Sequence, residues 1–492
     1  MNFGSKVHWL WLLVPIGIFT VLRLPAVIHQ SGGQDEQFFA VPGYTVWNEG
    51  IPRIPYFPAR ERSTFFENAD RCLMALPPGL FYVQAPFFGL FSAGYPTARI
   101  PLFLAALVAI ALMYALARAF GSSPMNALAA AGLLSLSRPL MFTGTIARPD
   151  LLCVVCGVGA ILLSLRASEK THSGIWVAIG TLCGLAGLFH PFALVFCIQA
   201  AAIAGLTPGS LRKRVIRIGL IALTSTTVLS LWLGLILRFP YEFRSQFFSN
   251  VLDRAGPGLP WRLVWPFPSF AHHARLLWEF AGPWQTLFLV IGLLGGSIYL
   301  FQTTLPHRPW KFLGLAWSSI YLTATVAGLH PTKGYWIYPT MMIMALMASA
   351  LSRLQFQAYL KSAFLVMAIL IMLPGAGLKT SWLYLRHWGS PKYHASNFIR
   401  GVLEEYPQKG LYLSDLSYVF DIYLTGRTTL LCKDPSDYAN EVNLEYDYVF
   451  LAWEGADAGW AKEYKTTLLV EKGFRDPPQA CYVDVLVKVK RQ

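Results

Sequence analysis

Long apolar runs separated by short polar breaks dominate the first three quarters of the chain. They fall near residues 8–28, 97–119, 124–143, 150–167, 174–190, 191–206, 216–237, 283–302, 312–329, 335–352 and 358–376. A bilayer core of about 30 Å takes about 20 apolar residues in helix, so these runs predict about eleven membrane spans. The stretch around His190-Pro191 exceeds thirty residues and is better divided into two helices with a tight turn than drawn as one kinked span. The first run is long and lacks a clear small-residue cleavage site, which argues against a cleaved leader. After residue 376 the pattern changes. Short apolar runs at 411–413, 428–431, 446–452 and 482–487 predict strands, and stretches around 395–406, 416–425 and 460–472 predict helices. Alternating short strands and helices imply a small α/β sheet. The expected architecture is a polytopic α-helical membrane domain, residues 1–376, followed by a soluble α/β domain, residues 377–492.

Composition supports the division. The 492 residues are 55% hydrophobic and only 13% charged, about half the charge of an ordinary soluble protein. A soluble enzyme, a disordered chain and a nucleic-acid-binding module are therefore disfavoured. The net charge of +14 sits in the apolar part: residues 1–376 hold 26 Lys+Arg and 11 Asp+Glu, and the remainder holds 14 and 15. With the N-terminus inside, the inside loops carry Lys6, Arg118, Arg166, Lys170, Arg212, Lys213, Arg214, Arg217, Arg308, Lys311, Arg353 and Lys361 against one acid, Glu169. By the bias of basic residues towards the cytoplasm, two long loops, 29–96 and 238–282, and the C-terminal domain are expected outside. In the first loop, Pro77 to Phe88 is too short to span and reads as an interfacial helix. The second carries Trp261, Trp265 and Trp278, rings suited to the headgroup level. Loops this long in a compact membrane protein are usually functional.

Few charges break the inside bias, and they gather on the outside. Asp35 and Glu36 follow Gly32-Gly33, whose flexibility allows a sharp turn over the mouth of the bundle. A solvated loop with a helix cap at Asp35 is the bland alternative. Arg148-Pro149-Asp150 opens the fourth span; a dipole-stabilised acid paired with Arg148 accounts for Asp150 structurally, and a site shared with Asp35 is the sharper reading. His190 ends the fifth span, where a capping role is the ordinary one. His330, Lys333 and Tyr335 occupy a short outside turn; Lys333 either snorkels to headgroups or meets a phosphate. There is no phosphate-binding GxxxxGK[ST] loop, no GxGxxG after a strand and no HExxH. Cys153 and Cys156 lie mid-span and read as packing. Of the seven cysteines, Cys72, Cys432 and Cys481 fall outside, where one disulfide could form, Cys432–Cys481 being the pair within the soluble domain.

The order of these features resembles the integral-membrane glycosyltransferases of the GT-C fold, in particular the protein O-mannosyltransferases and the lipid A aminoarabinose transferases. The likeness rests on the Asp35-Glu36 pair after the first span, Pro77-Pro78-Gly79-Leu80-Phe81-Tyr82, Thr97 to Pro101, Ala147 to Asp150, and Lys333, Tyr335 and Pro339 late in the domain. Two positions depart from the pattern: Leu76 stands where relatives often carry a charge, and His190 where many carry a lysine. The resemblance implies direct, inverting transfer of a sugar from a polyprenyl-phosphate donor to a hydroxyl of a lipid, glycan or protein acceptor, outside a membrane such as a bacterial inner membrane. Asp35, Glu36 and Asp150 are then the catalytic candidates, with Asp35 as base. Arg148, His190, His330, Lys333, Tyr335 and Tyr82 are candidates for substrate binding. No nucleotide site is needed; the one cofactor the resemblance leaves open is a divalent ion, which Asp35 and Asp150 would share. A multi-span lipid or sugar transporter and a membrane scaffold are the competing classes. No inverted repeat or matched pair of broken spans supports the transporter, and the scaffold leaves the outer charges unexplained.

Overall fold

The computed structural model describes residues 10–33, 35–56, 66–302, 309–354, 357–432, 446–457, 459 and 466–488. Lys6 and Arg308 of the inside set lie outside these residues. Within the described residues, each of the eleven apolar stretches is helical. Four helices are by themselves long and apolar enough to cross a membrane: Tyr95–Ala119, Leu211–Arg238, Pro283–Gln302 and Lys333–Arg353. A fifth candidate is the pair Tyr359–Gly375 and Leu378–Arg386, bent by 59°. Length and composition therefore support four or five spans among the described residues, and the remaining stretches form shorter apolar helices. The stretch 124–143 is two helices, Pro124–Leu136 and Arg138–Thr143, broken at an extended Ser137. Pro139 falls in the first turn of the second helix, where no N–H donor is needed.

The helices differ in what they face. Lys333–Arg353 runs through the middle of the bundle with almost every side chain buried. Leu211–Arg238 lies at the rim with Leu211, Val215, Ile216, Leu223, Leu231 and Leu237 exposed. An apolar face of this length needs an apolar solvent, which fits the bilayer reading. The two long loops are structured. The first contains Glu36–Phe39, Val41–Glu49 and Gly79–Leu90; the second contains a π-helical turn, Phe243–Asp253, and the helices Leu259–Val264 and Phe267–Ala281. Gln246 ties the two loops together: its carbonyl accepts from the Met74 N–H (2.7 Å), and its amide donates to Glu67 and Cys72 carbonyls (2.7 and 3.0 Å).

The C-terminal sheet has strands β1 (Leu411–Ser414), β2 (Thr428–Leu431), β3 (Tyr448–Leu451), β4 (Thr466–Gly473) and β5 (Tyr482–Lys488), in the order β2-β1-β3-β5-β4. β1 runs parallel to β2 and β3, and β5 antiparallel to β3 and β4. The helix expected over 460–472 is corrected from residue 466 onward: Thr466, Thr467 and Val470 are β-branched and pair along β5. Residues 460–465 lie outside the described set. All seven cysteines are free. Cys432 packs with Leu413 and Val449, and Cys481 with Ile399 and Tyr418. They belong to separate clusters, so the Cys432–Cys481 disulfide is not formed. The domain sits on the first long loop: Phe420 meets the rings of Tyr44, Phe88 and Tyr95 (6.1, 6.3 and 5.4 Å). The Tyr95 hydroxyl donates to the Leu416 carbonyl (3.1 Å), and the Leu431 N–H to Tyr56 (2.8 Å).

Candidate active site

Arg99, at the start of the long helix Tyr95–Ala119, is fully buried and organises the first turn of the loop. Its guanidinium donates to the carbonyls of Val27, Gln30 and Ser31 (3.2, 2.7 and 2.8 Å) and grips both Glu36 oxygens (2.8 and 2.6 Å). The Ala147 N–H donates to the same Glu36 carboxylate (2.8 Å). Every donor of the guanidinium thus has an acceptor, which is what makes a buried pair tolerable. Gly32 is needed for proximity: a Cβ there would lie 2.2 Å from the Tyr95 ring. This is where the structure places Glu36, a catalytic candidate by sequence. It is a buried tether between three segments and does not line the cavity.

One residue earlier the backbone turns through the left-handed region, with Asp35 at φ 73°. Aspartate is among the non-glycine residues that tolerate this region. Its side chain projects outward, half-exposed, and its carboxylate accepts from Arg148 Nη1. Arg148 Nε donates to Asp150 Oδ2 (2.9 Å). Asp150 is buried at the head of helix Asp150–Arg166, closed off by Gly334, where a Cβ would lie 2.5 Å from its carboxyl carbon. One guanidinium therefore joins the two acids. Burial opposes the charge on Arg148, but Asp150 and Asp35 outweigh it and hold the guanidinium above its ordinary value.

His190 follows the helix Ser173–Phe189. Its Nδ1 accepts from the Phe192 N–H (3.1 Å), so in the neutral ring the proton is on Nε2. The ring stands edge-on to Tyr335 at 5.4 Å, and Tyr335 stacks on Phe192 at 5.1 Å.

These groups share a cavity open to solvent, lined by Asp35, Arg148, His190, His330, Tyr335 and residues of the second loop. Of the residues expected from sequence, Asp150 lies directly behind Arg148. Lys333 is turned away, its ammonium 5.9 Å from the ring centres of Phe142 and Phe280. Tyr82 is exposed on helix Gly79–Leu90, with its hydroxyl near the Gly50 carbonyl (3.4 Å). Neither Lys333 nor Tyr82 lines the cavity. The second loop supplies cations that sequence reasoning passed over. Arg254 donates to Asn250 Oδ1 (2.9 Å), and Arg262 donates to the Ala255 carbonyl (2.9 Å) while its Nε is buried without a hydrogen-bond partner. The signal available in the sequence was basic residues within an aromatic loop expected to lie opposite the basic loops.

The cavity does not fit a divalent ion held by Asp35 and Asp150. The Arg148 guanidinium bridges the two carboxylates, and among the described residues no group of three or more His, Cys, Asp or Glu is gathered to hold a metal.

Five separate stretches of the chain thus meet over this one cavity. Residues 75–233 match the family described as dolichyl-phosphate-mannose-protein mannosyltransferase. Among solved structures, ArnT from Cupriavidus metallidurans bound to undecaprenyl phosphate is similar at a TM-score of 0.61 and 13% identity, over 99% of this chain and 98% of that one. The archaeal oligosaccharyltransferase AglB from Archaeoglobus fulgidus, in complex with an inhibitory peptide and a dolichol-phosphate, is similar at 0.55 and 15% identity, over 94% and 71%. No curated protein matches the sequence.

Proposed function

We propose that the protein is an inverting glycosyltransferase that moves a sugar from a polyprenyl phosphate to an acceptor hydroxyl on the non-cytoplasmic face. The observation that carries this reading is the Asp35–Arg148–Asp150 chain at a cavity whose other charged walls are basic. The chemistry asks for two things. A carboxylate must accept the acceptor's proton as its oxygen attacks the anomeric carbon. Cations must meet the charge that develops on the departing phosphate. Asp35 is the one carboxylate lining the cavity among the described residues, and its exposed edge can reach an acceptor. Arg148 orients that carboxylate, and the buried Asp150 fixes Arg148. Arg254, Arg262 and the Nε2–H of His190 are placed for the phosphate, and the stacked Tyr335 and Phe192 form an apolar wall beside it. The energy of transfer resides in the donor's own phosphate ester, so no nucleotide site is required.

The reading includes eleven crossings with the N-terminus cytoplasmic and the C-terminal domain outside. It is supported by the segregation of Arg118, Arg166, Lys213, Arg353 and Lys361 from the cavity end of the bundle. The direct test uses the purified chain in proteoliposomes with a polyprenyl-phosphate sugar and a mixture of hydroxyl acceptors. Glycosylated product of inverted anomeric configuration, released together with polyprenyl phosphate, is the expected result. Release of free sugar alone, or transport of the donor without transfer, contradicts it.

A further inference from the structure

A second cavity lies at the opposite end of the bundle from Asp35, and nothing in the proposed reaction uses it. It is a groove with about 750 Å³ of open space between helices Pro124–Leu136, Ile337–Arg353 and Ala358–Met372. Its position follows from chain direction: Arg138–Thr143 and Lys333–Trp336 lead to the active-site end, so residues 124 and 353 mark the other end. Ala130 and Ala348, both small and buried, form the floor. Met344 and Met347 supply a flexible apolar wall. The mouth is polar, with Asn126 and Lys361.

The charges around that mouth are one-sided. Ser352 accepts from the Ser123 N–H and the Asn126 amide, both at 2.8 Å, which brings the end of one helix to the start of the other. The next residue, Arg353, has a buried Nη1 without a hydrogen-bond partner. Arg118 lies in the adjoining turn, bonded to the Ser122 carbonyl. Residues 97–149 and 337–376 contain no Asp or Glu, so the groove's own elements offer these cations no carboxylate. The mouth is cationic, and the apolar length beneath it suits an anion that carries a hydrocarbon chain.

We propose that this groove binds an anionic phospholipid of the cytoplasmic leaflet, with an acyl chain over Ala130 and Ala348 and the phosphate at Lys361, and with Arg353 adding its charge from the neighbouring turn. The proposal rests on the orientation given under the proposed function, not on the transfer reaction. A basic residue at a membrane surface favours an acidic lipid roughly fivefold, which sets the scale of the effect.

The test is native mass spectrometry of the full chain in detergent, titrated with phosphatidylglycerol, with phosphatidylcholine of the same chains, and with glycerol phosphate. Phosphatidylglycerol is expected to bind roughly fivefold more tightly than phosphatidylcholine, and glycerol phosphate to show no binding. Lys361→Gln should bring phosphatidylglycerol to the phosphatidylcholine level, and Ala348→Phe, which fills the floor, should weaken both. Equal binding of the two lipids, or phosphatidylglycerol binding unchanged in Lys361→Gln, overturns the proposal; so does binding of glycerol phosphate alone. Lys361 is at the mouth and its variant keeps the packed floor intact, so the test survives if Ala348→Phe does not fold. Glycosyl transfer assayed on the same samples separates the two readings. Lost lipid discrimination with intact transfer removes only the lipid site, and the converse removes only the enzyme.

Discussion

Asp35 and Glu36 are chain neighbours with opposite surroundings. Glu36 is sealed in a fully hydrogen-bonded contact with Arg99 and the Ala147 N–H. Asp35 shares Arg148 with Asp150 and leaves half its side chain towards the cavity. The same residue class serves two ends. One acid ties the first loop to the helices beneath it, and the other is presented to whatever enters from outside. The closed pair determines where the open one stands, because the turn that Arg99 fixes at residues 27–31 is the turn from which Asp35 projects. A charge in a membrane protein is thus informative only together with its partners.

Breaking the closed pair should give the largest effect. Arg99→Gln leaves Glu36 buried without its cation, and a loss of about 3–5 kcal/mol of stability is expected. Thermal unfolding in detergent would register it as a large drop in melting temperature; an unchanged melting temperature would show the tether to be dispensable. Arg148→Lys is expected to do less. A lysine keeps the charge but cannot bridge two carboxylates through a planar fork, and the lost charged hydrogen bond is worth about 1.5–3 kcal/mol. Transfer rate should fall by roughly ten- to a hundredfold, with the fold retained. Lys333→Ala sits at the small end: the ammonium lies on Phe142 and Phe280, so the donor KM should stay within about twofold. A large rise in KM would return Lys333 to the phosphate site.

Much of this was legible in the sequence, for identifiable reasons. Apolar length located the helices, and the loop charges set Asp35, Arg148 and Asp150 together at one end of the bundle. The difference between Asp35 and Glu36 was not legible, because it depends on Arg99, 63 residues further along the chain. An arginine set among apolar residues in Thr97 to Pro101 was the available hint. The break at Ser137 was marked only by Arg138-Pro139, and β4 only by Thr466, Thr467 and Val470 in a stretch with helix-like charge spacing. Arg254 and Arg262 were passed over because their loop reads first as aromatic. Gly334 and Gly32 owe their places to close approach of Asp150 and Tyr95, a three-dimensional cause with no local signature.

The division of labour between the two acids is tested most directly by comparing Asp35→Asn with Glu36→Gln, measuring transfer rate and melting temperature on the same samples. Asparagine tolerates the left-handed backbone as aspartate does, so Asp35→Asn changes the chemistry and keeps the turn. The account predicts that Asp35→Asn loses about 10²–10⁴-fold in rate at an unchanged melting temperature, and that Glu36→Gln lowers the melting temperature. Wild-type turnover in Asp35→Asn, or a fully stable Glu36→Gln that has lost turnover, would contradict it.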